Sequence, residues 1–220
     1  MGKRHQRMIL PSEVVEAAKR NEKENMRFRS YLKRVADADV LDQQFMALHR
    51  VIFPRYNCAK CRNCCKLMHA EISEEDIERD AVCLGMTKQE FIASHLKQVD
   101  GEWQEIHRPC GFLDANGDCI LGENRPESCK KFPYTDQPER LFSFLNAVSV
   151  CPAAYEICER LKQLYGFGRY RKQHADTERF DNQAPGFSFV AGSTSWGFPY
   201  GVPEASEGQK VQEADEELPF

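Results

Sequence analysis

The first quarter of the chain has the apolar spacing of helices. From Pro11 to about Val51, apolar side chains recur every three or four positions, which is typical of amphipathic helices. The clearest stripe consists of Leu41, Phe45, Leu48 and Val51–Ile52. Asp37 and Asp39 are candidate N-caps for that helix, and Pro54 would end it. Residues 1–54 are therefore predicted to form an N-terminal helical segment.

Two later helices have complete start signals. In Ser73-Glu74-Glu75-Asp76 and in Thr87-Lys88-Gln89-Glu90, an acid follows a hydroxyl residue after three positions, the arrangement of a capping box. The positions of a hydrophobic staple are filled in both cases, by Ile72 and Ile77 and by Met86 and Phe91. Gly85 is a natural C-cap for the first helix. These signals predict helices over about 73–84 and 87–98.

A hairpin is predicted over Cys110–Leu121. Asn116-Gly117 is a strong turn dipeptide and lies between two apolar runs, so the turn would bring the two cysteines of this segment towards each other. Downstream, Arg125–Cys129 has the pattern of a helical turn with Pro at its first position. Phe132-Pro133 would end that turn.

The rest of the pattern completes an α+β fold that is mostly helical. The apolar, β-prone residues 141–150 predict a strand, and Pro152 begins a last helix that extends to about Gly166. Residues 171–220 are rich in Gly, Pro and acid and are predicted to be a disordered tail. Between the ends, residues 55–170 would form a domain with a small β-hairpin and an irregular cysteine-rich metal-binding region.

The chain has ten cysteines among 220 residues, which could either form disulfides or bind metal. The short apolar run Met8–Leu10 is followed by Pro11, so it does not make the core of a signal peptide. No stretch approaches the roughly 20 apolar residues of a membrane span. We therefore expect a cytoplasmic protein. In that reducing compartment thiols stay free, and clustered thiols are typical of metal binding.

The net charge and its distribution along the chain indicate which classes of partner to expect. The net charge of −4 disfavours nucleic acid as the main partner, and no membrane partner is expected. The ends are uneven: residues 1–34 carry ten Lys or Arg against four Glu, whereas 204–217 carry six acidic residues against Lys210. Solvated tails and helix faces are the simpler interpretation. A protein partner that binds through the tails is the alternative.

The candidate chemistry is concentrated in Cys58-x2-Cys61-x2-Cys64-Cys65. Three thiolates spaced by three residues can converge from one tight loop on a single inorganic centre, and zinc and clustered iron prefer such ligands. Either Cys64 or Cys65 could be the ligand, because adjacent side chains in extended chain point apart. Four cysteines further along the chain are predicted to be additional ligands because each lies at a turn or at the end of a helix or strand. They are Cys110, Cys119, Cys129 and Cys151.

Other candidates have ordinary explanations. Cys83 and Cys158 fall inside predicted helices and are expected in the core, which leaves eight cysteines, enough for two sites of four. His69 and His107 are interpreted as polar surface or helix-end residues rather than nitrogen ligands. For Arg125 two roles are equally supported: a surface turn, or a cation that offsets the charge of the thiolates.

Zinc and iron–sulfur chemistry both fit the spacing. A structural zinc usually takes ligands in pairs, and Cys110 with Cys119 would supply a second pair. The run C-x2-C-x2-C also holds three corners of a cubane in bacterial ferredoxins, where the remote ligand is followed by proline, as Cys151 is followed by Pro152. The full ferredoxin run is absent. We prefer a 4Fe-4S cluster, with zinc or mononuclear iron as alternatives.

The ordered motifs resemble the YkgJ-type CxxCxxCC cysteine-cluster proteins, a group described as zinc- or iron-chelating domains. The resemblance covers about residues 55–155. Its motifs are Cys58–Cys65, Ile72–Arg79, Cys110-Gly-Phe-Leu, Cys119-Ile, Arg125-Pro126, Cys129, Phe132-Pro133 and Cys151-Pro152. Asn63 stands where the family commonly has Gly, which suggests that the φ requirement of the loop is met differently, since Asn tolerates the left-handed region best after Gly.

The resemblance implies metal or iron–sulfur binding without settling a reaction. A relative with the same cluster, the flagellin lysine methylase, makes a methyl-transfer enzyme or its accessory subunit one alternative. A protein that handles metal for a partner is another. The sequence itself indicates no catalytic residues, because it lacks a Gly-rich phosphate loop, a G-x-S-x-G elbow and an H-E-x-x-H motif.

Overall fold

A computed structural model describes residues 8–139, 141, 144–168, 187–193 and 199–203. The chain divides into two units, Met1–Gly168 and Arg169–Phe220, which are described separately. In the described part of the chain, no helix combines the length and apolar character that crossing a membrane requires.

The predicted N-terminal helices are present. They are α1 (Val14–Arg20), α2 (Glu22–Val35) and α3 (Ala38–Ile52), and a 3-10 turn over Phe53–Arg55 follows them. The carboxylate of Asp37 caps α3 by accepting from the amide of Val40 at 3.0 Å. The apolar stripe of α3 buries Leu41, Phe45 and Ile52, but Val51 at its end is 68% exposed.

Helix α10 (Pro152–Leu164) packs against α1 and α3 and buries Ile157, Cys158 and Leu161. The strand predicted over 141–150 is wrong, because this segment contains α9 (Phe144–Val148) instead. Phe144, Ala147 and Val148 are buried at helical spacing, and a short apolar run does not by itself distinguish a strand from a buried helix.

A second apolar cluster lies in the cysteine-rich part of the chain. The elements of this part are α4 (Cys58–Cys61), α5 (Asn63–Leu67), α6 (Glu74–Cys83), α7 (Lys88–His95), β1 (Leu96–Val99), β2 (Glu102–Glu105) and α8 (Glu127–Lys131), with a 3-10 turn over Gly122–Asn124 before α8. Both predicted capping boxes are formed. The cluster is built from Ile72, Ile77, Ala81, Phe91, Leu96, Phe112 and Leu121.

The fold is mostly helical with a small hairpin, as predicted, but the two-strand sheet of the first unit lies at 96–105, and the predicted turn over Cys110–Leu121 carries a single bridge. Strands β1 and β2 pair antiparallel around Asp100-Gly101, whose φ values of 52° and 89° suit a tight hairpin turn. The second predicted helix therefore ends at His95. Over Cys110–Leu121 only an isolated bridge forms, because the Asp114 carboxylate accepts both the Asn116 and Asp118 amides at 2.8 Å.

In the second unit, β3 (Phe187–Ser193) pairs antiparallel with β4 (Pro199–Pro203), with two irregularities in register. The remainder of the predicted tail, 171–220, lies outside the described residues, so its disorder stays a prediction.

Candidate metal site

The four clustered cysteines lie on two very short helices that meet at Arg62. Asn57 caps α4 by accepting from the amide of Lys60 at 3.1 Å. Arg62 then adopts the left-handed region (φ 53°, ψ 18°) and separates α4 from α5. A left-handed backbone costs a non-glycine residue roughly 1–2 kcal/mol, so the turn must be held by its surroundings. It places Cys58 and Cys61 on one side of the bend and Cys64 and Cys65 on the other.

Asn63 is not the residue that meets the φ requirement of the loop. It is helical, and the left-handed residue is its neighbour Arg62. The side chain of Asn63 instead donates to the carbonyls of Pro11 at 2.7 Å and Val150 at 3.2 Å. It thereby ties the cysteine segment to the N-terminal helices and to the residue before Cys151.

A cavity of about 200 Å³ lies at this bend. Six of the eight predicted ligands line it: Cys58, Cys61, Cys64, Cys65, Cys129 and Cys151. They come from α4, α5, α8 and the N-cap of α10, so the fold brings together thiols that are far apart in sequence. All ten cysteines of the chain are free.

Cys110 and Cys119 flank the cavity without lining it. The amide of Cys110 donates to the carbonyl of Cys65 at 2.8 Å, and Cys119 forms the isolated bridge with Leu113. Both cysteines pack against the second apolar cluster. Burial raises the pKa of both thiols. A negative charge on the sulfur of Cys65 would raise both pKa values further.

Cys64 and Cys65 differ in acidity. Their Sγ atoms are 4.0 Å apart. Either thiol could donate to the other. With Cys64 as the donor, this hydrogen bond and the charges of Arg62 and Arg125 lower the pKa of Cys65, although burial opposes them. The same hydrogen bond, together with burial, then raises the pKa of Cys64.

Burial favours the neutral thiol of the remote candidate ligands. Burial raises the pKa of Cys110 to about 12 and the pKa of Cys129 and Cys151 to about 11. A charge on Cys58 or Cys61 would raise the pKa of Cys151 further. A metal that binds here must displace protons, which makes binding depend on pH.

Two arginines supply positive charge to the thiols. Arg125 lines the cavity and is only half-buried, and its charge opposes the effect of burial on the pKa of Cys58, Cys119 and Cys129. Of its two predicted roles, this geometry favours the cation beside thiolates. Sequence reasoning missed Arg62, although its place between two ligand pairs was the available signal.

The remaining candidates lie apart from the cavity lining. Cys158 is in the core as expected, with its sulfur 3.9 Å from Oδ1 of the Asn25 side chain. For Cys83 that expectation is wrong: it is exposed at the end of α6 and accepts from the Asn124 side chain at 3.4 Å. His69 pairs with the backbone carbonyl of Glu105, and His107 pairs with the Glu105 carboxylate, each at 2.8 Å.

Glu105 is a further residue that sequence reasoning missed. Its side chain is fully buried, and Oε1 accepts from the amides of His107 at 3.0 Å and Gly111 at 3.1 Å. The carboxylate thus fixes the loop that carries Cys110. A Cβ at Gly111 would lie 3.0 Å from Oε1 of Glu105 and 2.8 Å from the His107 ring, so a side chain there crowds this arrangement.

The donor set fits a thiophilic metal, since thiolate sulfur is the preferred ligand of zinc and of iron–sulfur clusters. In the described part of the chain, however, no three His, Cys, Asp or Glu side chains are already grouped closely enough to hold an ion. Loading would therefore draw the sulfurs inward as their protons leave.

The part of the chain that the structure describes therefore combines a mostly helical fold with a cysteine-lined cavity. Residues 57–152 match the CxxCxxCC family, whose description is "Putative zinc- or iron-chelating domain". The match covers the segment from which the resemblance was drawn, and the resemblance is confirmed there. No curated protein and no solved structure matches the chain.

Proposed function

We propose that this chain binds metal through thiolates of Cys58, Cys61, Cys64, Cys65, Cys110, Cys119, Cys129 and Cys151. The observation that carries the proposal is the cavity, which is lined by six of these cysteines from four separate elements. Buried cysteines that served only to pack would have no reason to face a common space. A reducing location such as the cytoplasm is part of the proposal, because it keeps these thiols available.

The cavity supports an iron–sulfur cluster over a single zinc ion. Four thiolates about 2.3 Å from one zinc lie within about 4 Å of each other and enclose almost no free space. A cavity of about 200 Å³ suits a larger inorganic centre. A cluster would supply one-electron transfer or redox sensing. Zinc is the alternative, and the 4.0 Å separation of the Cys64 and Cys65 sulfurs is compatible with it.

A metal-handling role is the second candidate, and exposure is the observation in its favour. Cys58 is exposed, and Cys61, Cys64 and Cys65 are only half-buried. Ligands that solvent or a partner can reach exchange metal more readily than fully enclosed ones. The methyl-transfer alternative and binding of a protein through the tails remain proposals from sequence.

Metal analysis tests the proposal directly. The protein is purified without oxygen, and its iron, zinc and acid-labile sulfide are measured with its visible spectrum. Iron and sulfide with broad absorbance near about 400 nm, as iron–thiolate centres give, are the expected result. Colourless protein that holds zinc would reverse the preferred metal. Protein that holds neither, even after anaerobic reconstitution, would exclude the proposed function.

Two variants make the measurement specific. Cys61→Ser removes a thiol from the cavity, whereas Cys83→Ser removes an exposed thiol outside its lining. We expect metal content to fall only in the first variant. Metal slowly transferred to a chelator by otherwise intact protein would favour the handling role over a permanent centre.

A further inference from the structure

The side chain of Arg62, at the bend between α4 and α5, is a largely buried cation. It is only 11% exposed, and its Nη2 donates to Oδ1 of Asp118 at 2.8 Å. Its Nε is buried and has no hydrogen-bond partner among residues 8–139, 141 and 144–168. A buried N–H group without an acceptor costs free energy, so this nitrogen is suited to an acceptor that comes with a loaded centre.

The ion pair joins two segments that both carry predicted ligands. Arg62 lies between Cys61 and Cys64, and Asp118 immediately precedes Cys119. The pairing therefore holds the loop of Cys119 against the bend between α4 and α5. Asp118 is 67% exposed, so the arginine and not the aspartate is the buried member of the pair.

The guanidinium also lies among the thiols. It lines the same cavity as Cys58, Cys61, Cys64 and Cys65. Charge-assisted hydrogen bonds from guanidinium to an anionic acceptor are among the stronger polar interactions in proteins. The left-handed backbone of Arg62 is unfavourable for a residue with a side chain, which makes the ion pair with Asp118 relevant to how this turn is held.

We propose that Arg62 is a positioning and charge-compensating residue of the metal centre, an inference that rests on the proposed function. Through Asp118 it holds Cys119 in place, and its guanidinium places a permanent positive charge beside the metal-bound thiolates. A centre with several thiolates carries net negative charge, which this cation offsets. Residues that support ligands in this way typically change metal affinity by 10–100-fold when replaced.

The experiment compares metal retention in the full-length protein and three variants. Arg62→Gly removes the cation and relieves the left-handed backbone, so failure to fold is not expected. Arg62→Lys keeps the charge, and Asp118→Asn breaks the ion pair alone. Each protein is loaded with Co(II) or Zn(II) and titrated with a chromophoric chelator at constant pH. For any iron–sulfur form, the midpoint potential is measured as well.

Arg62→Gly should release metal about 10–100-fold more readily than wild type, and its cluster should have a more negative midpoint potential. Arg62→Lys should recover most of both properties, and Asp118→Asn should weaken retention less than Arg62→Gly does. If Arg62→Gly retains metal as well as wild type does and its cluster has the wild-type midpoint potential, the role of Arg62 is overturned and the proposed function still stands. Wild-type protein that retains neither metal nor cluster would overturn both.

Discussion

Asp76 in α6 accepts hydrogen bonds from the backbone amide of Glu127, at 3.2 Å to one carboxylate oxygen and 3.3 Å to the other. The same carboxylate closes the capping box of its own helix and pairs with Arg79 at 2.7 Å. Glu127 begins α8, which carries Cys129. One buried carboxylate therefore caps two helices, and the second presents a predicted ligand to the cavity.

Asp76→Asn should destabilise the protein. The substitution removes a buried negative charge that Arg79 and the Glu127 amide both face, and breaking such a buried pair costs about 3–5 kcal/mol. Because Arg79 keeps its pairing with Asp80, we expect a somewhat smaller loss, about 2–4 kcal/mol in the free energy of unfolding. Urea denaturation followed by circular dichroism measures it.

The matched control is Glu75→Gln, which neutralises the exposed carboxylate next to Asp76. Surface substitutions of this kind usually change stability by less than about 0.5 kcal/mol. Equal effects of the two substitutions would show that Asp76 contributes only as a helix-terminal charge.

Stability at low pH should depend on Asp76 and Asp80 in opposite ways. Burial raises the pKa of Asp76, but hydrogen bonds from Arg79, Ser73 and the Glu127 amide together lower it below its ordinary value. Its contribution to stability is therefore present above the unfolded-state pKa and is lost as pH falls through the folded-state pKa. Burial raises the pKa of Asp80, so protonation of Asp80 favours the folded state as pH falls.

The unfolding free energies of wild type, Asp76→Asn and Asp80→Asn, measured between pH 7 and pH 2, check these signs. The curve of Asp76→Asn should decline less steeply below about pH 4 than that of wild type. The curve of Asp80→Asn should decline more steeply. Parallel curves for all three proteins would contradict the assignment.

Gly111→Ala should disturb the loop of Cys110. The new methyl group would meet the Glu105 carboxylate and the His107 ring. Glu105 is fully buried and cannot move into solvent. Overpacking of this kind costs about 1–3 kcal/mol. Thermal unfolding measures the loss, and metal content should fall with it if the loop positions a ligand.

Gly168→Ala is the control, because a Cβ at Gly168 would meet nothing within 4 Å. Its stability should stay within about 0.5 kcal/mol of wild type. A Gly111→Ala protein as stable and as metal-rich as the control would show that the loop adapts without cost.

Removal of metal should unfold the cysteine domain. In small structural metal sites the free energy of binding is folding free energy, so we expect Cys61→Ser and Cys129→Ser to lose the cooperative transition, as wild type does after chelation. Cys158→Ser disturbs only the core and Cys83→Ser only the surface, and both should keep the transition. An unchanged circular dichroism spectrum after wild-type metal is stripped would refute the coupling.

Local signals in the sequence predicted those elements that depend on local interactions. The capping boxes at Ser73 and Thr87, and the cap at Asp37, involve residues within one turn of each other, so their pattern is sufficient. The hairpin turn at Asp100-Gly101 was not predicted, although Asp-Gly is a good turn dipeptide. The predicted turn at Asn116-Gly117 forms but carries only one bridge, Leu113 with Cys119, and the Asp118 amide donates to the Asp114 side chain instead of to a longer ladder.

The residues that support the site could be predicted only in part. The cysteines were recognisable by spacing, because few other patterns place thiols so densely. Arg62, Glu105 and the double role of Asp76 depend on contacts between segments that are distant in sequence. The capping-box pattern in the sequence is the same whether or not the carboxylate of Asp76 also accepts a hydrogen bond from a second helix.

The cavity joins Cys58, near the start of the domain, to Cys151, at its end. A ribosome releases the chain N-terminus first, so the clustered thiols emerge while Cys151 and α10 are still being made. A centre that uses Cys151 would therefore be completed only after all of residues 57–152 have been synthesised. The metal would then be selected by the assembled set of thiols rather than by the clustered motif alone.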